Sequence, residues 1–386
     1  MIPLSIPVLY GNEWKYVKEC LDSGWVSSAG KFVEIFEQKI CAYTRARYAT
    51  ACINGTAGLL VGLRIAGVES GDEVIVPTVT FIAPVNAVKY LNAEPVFMDC
   101  DDYLNMDVEK LEEFCKECCC MSSNGLRNKK TRRLIKAIIP VHIFGNPCDM
   151  QAIMGVARKY GLKVIEDATE SLGSFFFAGK YANRFTGTIG DMGVYSFNGN
   201  KIITTGGGGM IVTDNPLFAR KAKYLTTQAK DDALSYIHNE VGYNFRLTNI
   251  LAALGVAQLE TIEQRIERKK SNYRLYYDGL RGIDGLGLMG IPDKTRPNYW
   301  FYSLLVEKTR YGSSRQELLS FMLRNKIEVR PLWYLNHRQK PFRKNQTYKM
   351  KKAEWFWERI LNLPCSIDLT EGQIGKIVTL LKKKVS

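Results

Sequence analysis

Histidine is nearly absent from this chain: three residues, His142, His238 and His337, in 386. The cysteines crowded at Cys115, Cys118, Cys119 and Cys120 have none of the three close by in sequence and no second cysteine pair, so the spacing of a zinc site is not met and no metal is expected. The stretch 115–133, CKECCCMSSNGLRNKKTRR, reads instead as a polar, basic surface insertion. No apolar run is long enough for a membrane span, and the start MIPLSIPVLYGNEWK does not have the basic-then-apolar layout of a leader. The expectation is a cytoplasmic chain, not bound to membrane, whose ten cysteines stay free thiols in a reducing compartment. Acidic residues are outnumbered, 39 against 53 basic, for a net charge of +14. The surplus gathers at Arg127, Lys129, Lys130, Arg132, Arg133 and Lys136, and at Lys382, Lys383 and Lys384. No zinc finger, RNA-binding signature or heptad zipper accompanies it, so nucleic acid is not the expected partner; solvated faces and an anionic small substrate are. Internal repeats and low-complexity tracts are missing too.

What is present is an ordinary globular composition, 46% hydrophobic and 24% charged, in a chain long enough for two or three domains. From residue 73 short β-rich runs alternate with helical ones: EVIVP, a helix over 84–91, EPVFMD, AIIPVHIF (137–144), a helix over 150–160, and KVIED (163–167). This rhythm indicates a mostly parallel sheet covered by helices. Ligands of such sheets collect beyond the carboxyl ends of the strands. Asp167, the TVTF segment ending at Phe81, and residues 54–56 all fall at such ends. A long helix is expected over 247–273. Beyond 284 the composition shifts to Gly- and Pro-punctuated loops, a strand in WFYSLLVE and a helix over 314–325, which suggests a smaller α+β domain. The division expected is 1–250 and 251–386, with the N-terminal segment free to pack on the smaller part.

The stretch 193–210, GVYSFNGNKIITTGGGGM, joins an apolar strand, a polar turn carrying Lys201 and four consecutive glycines. No acidic residue is near Lys201 in sequence, and a lysine in an apolar setting is pushed towards the neutral amine that carbonyl chemistry needs. Glycines leave room for a planar cofactor; a solvated lysine beside a flexible turn explains the same letters. At Asn54, Gly55 and Thr56 a cap, a glycine and a hydroxyl open a helix, which suits a phosphate, although an ordinary capped helix reads alike. Ser27, in WVSSAG, sits in a loop that could touch a ligand or merely cap the next helix.

In combination and order, INGTAGLL, VPTVTFIAPVNAV, PVHIFGNPCDM, VIEDATESLGS, GDMGVYSFNGNKIITTGGGGM and GYNFRLTNILAAL make the chain resemble the DegT/DnrJ/EryC1/StrS sugar aminotransferases. The resemblance covers nearly the whole chain. It implies the aspartate-aminotransferase-like, type I α/β fold of pyridoxal 5′-phosphate (PLP) enzymes, with a seven-stranded-type, mostly parallel sheet and a smaller α+β C-terminal domain. By the same resemblance Lys201 matches the lysine that holds PLP and shuttles the substrate proton, and Asp167 the carboxylate on the pyridine nitrogen. Phe81 matches the aromatic stacked on the ring, and Gly55, Thr56 and Ser196 the phosphate cradle. Asn244 matches an asparagine reaching the phosphate of a partner subunit, which implies a homodimer with a shared active site. Glu170 stands where the family often has Gln or His beside the ring oxygen, a change in charge. Gly206 to Gly209 depart from the family's Gly-Glu-Gly-Gly.

The implied reaction passes nitrogen from L-glutamate through PLP to a nucleotide-linked keto-sugar. The form expected first is a UDP-4-keto-6-deoxy-N-acetylhexosamine aminated at C4. The alternatives are GDP- or dTDP-linked sugars, amination at C3, or a PLP-fold binding protein without catalysis. A related dehydratase would carry histidine in place of Lys201, and a nucleotide-binding oxidoreductase would need the GxGxxG glycines that INGTAG does not have. Arg330, Trp333 and His337 lie in a basic, aromatic stretch that could meet the nucleotide or sugar, or pack as a domain edge.

Overall fold

The structure, a computed structural model, describes residues 1–232 and 234–383; Lys384 of the basic tail lies outside the described residues. Among them an eight-stranded sheet forms the spine. Its first seven strands are β1 (Tyr48–Cys52), β2 (Glu73–Pro77), β3 (Glu94–Met98), β4 (Ile135–Ile138), β5 (Lys163–Asp167), β6 (Met192–Ser196) and β7 (Gly209–Thr213). Across the sheet they run β1, β7, β6, β5, β4, β2, β3, and the short strand Thr347–Tyr348 adds an eighth at the β3 edge. Pairing is parallel from β6 to that edge and antiparallel where β7 meets β6 and β1. The α/β class and mostly parallel sheet expected from the sequence are therefore found. The strands read as continuous apolar runs because helices cover both faces: all five residues of β2 are buried, as are all five of β7.

Two sequence expectations shift. The run 137–144 is not one strand: β4 ends at Ile138, Pro140 has no N–H to offer a ladder, and Ile143–Gly145 closes a turn in which Phe144 has φ of 55°. The expected long helix is two, Asn249–Leu259 and Ile262–Leu280, separated at Glu260 and Thr261. The first of these is apolar nearly all round and buried, while the second turns one stripe inward.

A second, four-stranded antiparallel sheet, in the order Leu286–Leu288, Tyr302–Val306, Ile360–Leu363, Arg330–Pro331, has its own apolar core with Tyr276, Leu318, Met322 and Ile377. The N-terminal strap runs along it: Ile2 N–H donates to the Lys326 carbonyl (2.8 Å), and Cys365 N–H to that of Leu4 (2.7 Å). The basic insertion is a helix end plus a hairpin, Cys119–Ser122 with Gly125–Asn128; Cys115 and Cys119 are buried, Cys120 exposed. Among the described residues no three His, Cys, Asp or Glu gather as a metal site, and no helix is long and apolar enough to cross a membrane.

Candidate active site

The carboxyl ends of β5 and β6 and the turn after β6 bring three chemistries together. Asp167 closes β5 and is buried; its Oδ1 accepts the Thr169 N–H at 3.1 Å, and burial raises its pKa. Three residues on, Glu170 is also buried. Its Oε2 accepts the Phe144 N–H (2.8 Å), its Oε1 lies 3.8 Å from Lys201 Nζ, and burial pushes its pKa up to about 7. The backbone of Lys201 is pinned by its N–H to the Asn198 carbonyl (3.0 Å), and its amine lies 4.0 Å from the centre of the Trp300 ring. Burial lowers the Lys201 pKa, which Glu170 and then Asp167 oppose by attraction. The amine therefore has no acid beside it in sequence and two beside it in space.

The opening of helix Gly55–Ile65 adds an anion site. Asn54 caps it by accepting the Ala57 N–H on Oδ1 (2.8 Å), and its carbonyl accepts from Gly58 (3.1 Å). That leaves the amides of Gly55 and Thr56 without an acceptor among the described residues. A side chain at Gly55 would put its Cβ 2.9 Å from Thr169 Cγ2 and 3.1 Å from Ser196 Cβ, so the helix start, the β5 loop and the end of β6 converge on one spot. The four glycines divide in role: at Gly209 a Cβ would come within 2.5 Å of the Asn54 backbone, and Gly206 has φ of +79°.

Phe81 is 53% exposed and meets Trp333 edge-on at 6.1 Å. Trp333 also packs on Phe144 (4.9 Å), so of the three residues in the basic, aromatic stretch it comes nearest the cluster. His337 is a tether: its Nδ1 is 2.7 Å from Thr78 Oγ1, at the root of the Phe81 loop, and burial lowers its pKa. Arg330 is not brought in; its guanidinium is held by Glu328 (2.5 Å) at the edge of the smaller sheet. Ser27 is exposed, its carbonyl accepting the Asn249 N–H (2.6 Å), and Asn244 is exposed in the single chain. Trp300 escaped the sequence reading. Its indole N–H donates to the Asn200 carbonyl (2.6 Å) while its face underlies Lys201, yet WFYSLLVE gave only the period of a strand.

A mostly parallel α/β sheet, a buried amine between two carboxylates at the strand ends, and an unpaired helix start define a type I PLP enzyme. The residues suit the cofactor: Asp167 for a protonated ring nitrogen, the Gly55 and Thr56 amides with Ser196 for the phosphate, Lys201 for the aldehyde.

Over residues 8–382 the chain matches the DegT/DnrJ/EryC1/StrS aminotransferase family, and it belongs to that family. It is 38% identical to the GDP-perosamine synthase of Escherichia coli O157:H7 over 97% of this chain and 95% of that one. Against the GDP-perosamine synthase of Caulobacter vibrioides the figure is 36%, over 98% and 97%. A DegT DnrJ EryC1 StrS aminotransferase from Brucella abortus superposes with a TM-score of 0.86 at 27% identity, covering 96% of this chain and 94% of that one. The protein is a PLP-dependent sugar aminotransferase.

Proposed function

We propose that the enzyme moves the amino group of L-glutamate to C4 of a nucleotide-linked 4-keto-6-deoxy sugar, with GDP ahead of UDP as the carrier. The buried Lys201 amine between Glu170 and Asp167 carries the transamination reading. The carrier rests on the relatives named GDP-perosamine synthases, and this moves the proposal away from the UDP-N-acetylhexosamine expected first.

When bound, PLP supplies the aldehyde that carries nitrogen and a ring that accepts electrons. The chain's own residues do the rest. Lys201 would take the proton from the donor carbon and deliver one to the sugar carbon; Asp167 would keep the ring nitrogen protonated. Gly55, Thr56 and Ser196 bind the phosphate, and Phe81 covers the ring. Glu170, beside the lysine, would face the ring oxygen. The net charge of +14 favours an anionic nucleotide diphosphate.

A homodimer completes the site in this reading. Asn244 is exposed, and Leu234, Tyr236 and Val241, close to it in sequence, leave 91%, 71% and 76% of their surface open, apolar surface that a second copy would cover. Use of a nucleotide sugar and ten unpaired cysteines support a cytoplasmic setting.

The test is a panel of GDP-, UDP- and dTDP-linked 4-keto-6-deoxy sugars with glutamate, products identified by mass and NMR. A GDP-linked 4-amino product at the highest kcat/KM is expected. Preference for a UDP-linked N-acetyl sugar would restore the first expectation, and turnover of none would remove the substrate class.

A further inference from the structure

The two oxygens of Glu170 are not equivalent. Oε2 accepts the Phe144 N–H at 2.8 Å, in a turn fixed by the positive φ of Phe144. The Glu170 carbonyl is held by Asn298 Nδ2 at 2.8 Å, and Asn298 packs tightly where Gly145 has no side chain. An oxygen that accepts an amide proton is a poor place for another proton, so any proton on this carboxyl belongs on Oε1. Oε1 is the oxygen facing Lys201, at 3.8 Å, and no hydrogen-bond donor reaches it among the described residues. The side chain is 3% exposed, and Lys201 is 12% exposed. Closing the gap to hydrogen-bond length takes a shift of about 1 Å at the flexible end of the lysine.

We infer that Glu170 is the proton partner of Lys201, a positioning residue that accepts on Oε1 the proton the lysine must release and holds it for return. The transfer turns ammonium and carboxylate into amine and carboxylic acid, with no bond broken but N–H, none formed but O–H, and no change in net charge. A buried pair can do this without drawing a counter-ion from water, which a glutamine at the same place could not. The direction of both pKa shifts agrees: burial raises Glu170 and lowers Lys201.

The other charged groups around the amine are accounted for. Asp167 attracts the ammonium from the β5 side, and His142, whose Nε2 is 2.9 Å from Glu166, acts on Asp167. Arg265 and Lys269 line a small crevice of about 20 Å³ on the far side of Lys201. Arg265 approaches Glu13 (3.5 Å), and Lys269 donates to the carbonyls of Trp300 and Cys365. Trp300 closes the remaining side with its ring.

The inference rests on Lys201 being the reacting amine proposed above, and the experiment separates the two. Glu170→Gln keeps an acceptor for Phe144 and removes only the charge. In the full-length chain freed of cofactor, reductive methylation of each lysine is followed by peptide mass across pH. In the holoenzyme, the pH midpoint of the visible absorbance change is read in parallel. In wild type, borohydride fixes the cofactor to Lys201. In Glu170→Gln the labelling midpoint of Lys201 falls by at least about one pH unit, a tenfold change in neutral amine at fixed pH, and the absorbance midpoint falls with it. Glu170→Asp restores part of both. Midpoints unchanged in Glu170→Gln overturn the role of Glu170 while leaving Lys201 in place. Cofactor fixed to another lysine overturns both.

Discussion

Two lysines, Lys201 largely buried and Lys269 fully so, line the crevice at residues 5–8. Burial lowers the pKa of each. Lys269 donates to two backbone carbonyls, Trp300 at 2.9 Å and Cys365 at 2.6 Å, and among the described residues no carboxylate pairs with it. Lys201 has the reverse: two carboxylates and an aromatic ring nearby, and no acceptor of its amine within hydrogen-bond length among the described residues. Desolvation alone does not make an amine reactive. A lysine whose amine is held by two fixed acceptors is a structural clasp, and one left under-bonded among acids is available for chemistry.

The widest separation between the two comes from removing each. Lys201→Ala should cut turnover of the keto-sugar nucleotide by at least about 10³-fold, with the cofactor held only non-covalently and the melting temperature nearly unchanged. Turnover at the wild-type rate would erase the contrast. Lys269→Met should do the opposite. It strips two buried carbonyls of their donor and should cost about 2–4 kcal/mol in urea unfolding, while the absorbance of the folded, cofactor-loaded enzyme stays as in wild type. A stable Lys269→Met with a lost cofactor band would move Lys269 into the chemistry.

How legible these sites were depends on whether their chemistry is local in sequence. The strand–turn–glycine run marked Lys201, and strand ends marked Asp167 and Phe81, because in a parallel sheet the period of the chain predicts where ligands gather. Lys269 sits in ERKKSNYR beside the part-exposed Lys270, and only its helical spacing with Ile262, Arg265, Ile266, Asn272 and Tyr276 places it inside. Glu170 was visible as a departure from a family pattern, but its pairing with Lys201 joins residues 31 positions apart. Trp300 reaches the site from the segment that leads into a strand of the other sheet, Tyr302–Val306, and alternation along that strand says nothing of it. The break in the expected 247–273 helix has the same origin: the apolar stripe and the charged stripe belong to two helices that meet different surfaces.

Trp300 links the two lysines, its carbonyl on Lys269 and its indole on the residue before Lys201. Trp300→Phe keeps a ring under the amine and loses the N–H to the Asn200 carbonyl. A loss of about 1 kcal/mol in stability and a drop of a few-fold in kcat, with KM for the sugar nucleotide unchanged, is the expected result. A change confined to KM would make Trp300 a substrate contact rather than a brace.

The smallest effect is in the pH dependence of stability, where the contrast with Lys269 can be sharpened. Glu170 has an ordinary value of 4.5 and is raised to about 7, so between those pH values the folded chain holds a proton the unfolded chain has lost. Stability from this group therefore falls as pH rises through that window. Lys201 and Lys269 work at the alkaline end and in the other sense: the unfolded amines keep their protons up to about 10.5 while the folded ones release them earlier, so stability from them rises with pH there. Glu170→Gln should flatten the slope between pH 4.5 and about 7 by on the order of 1 kcal/mol per pH unit, and it should extend the rise from Lys201 to lower pH. The part of the rise due to Lys269, which pairs with no carboxylate among the described residues, should stay where it is. Urea midpoints across pH for Glu170→Gln, alone and combined with Lys201→Met, resolve the two lysines, and an acid-side slope identical to wild type would mean that the carboxyl of Glu170 keeps its charge throughout.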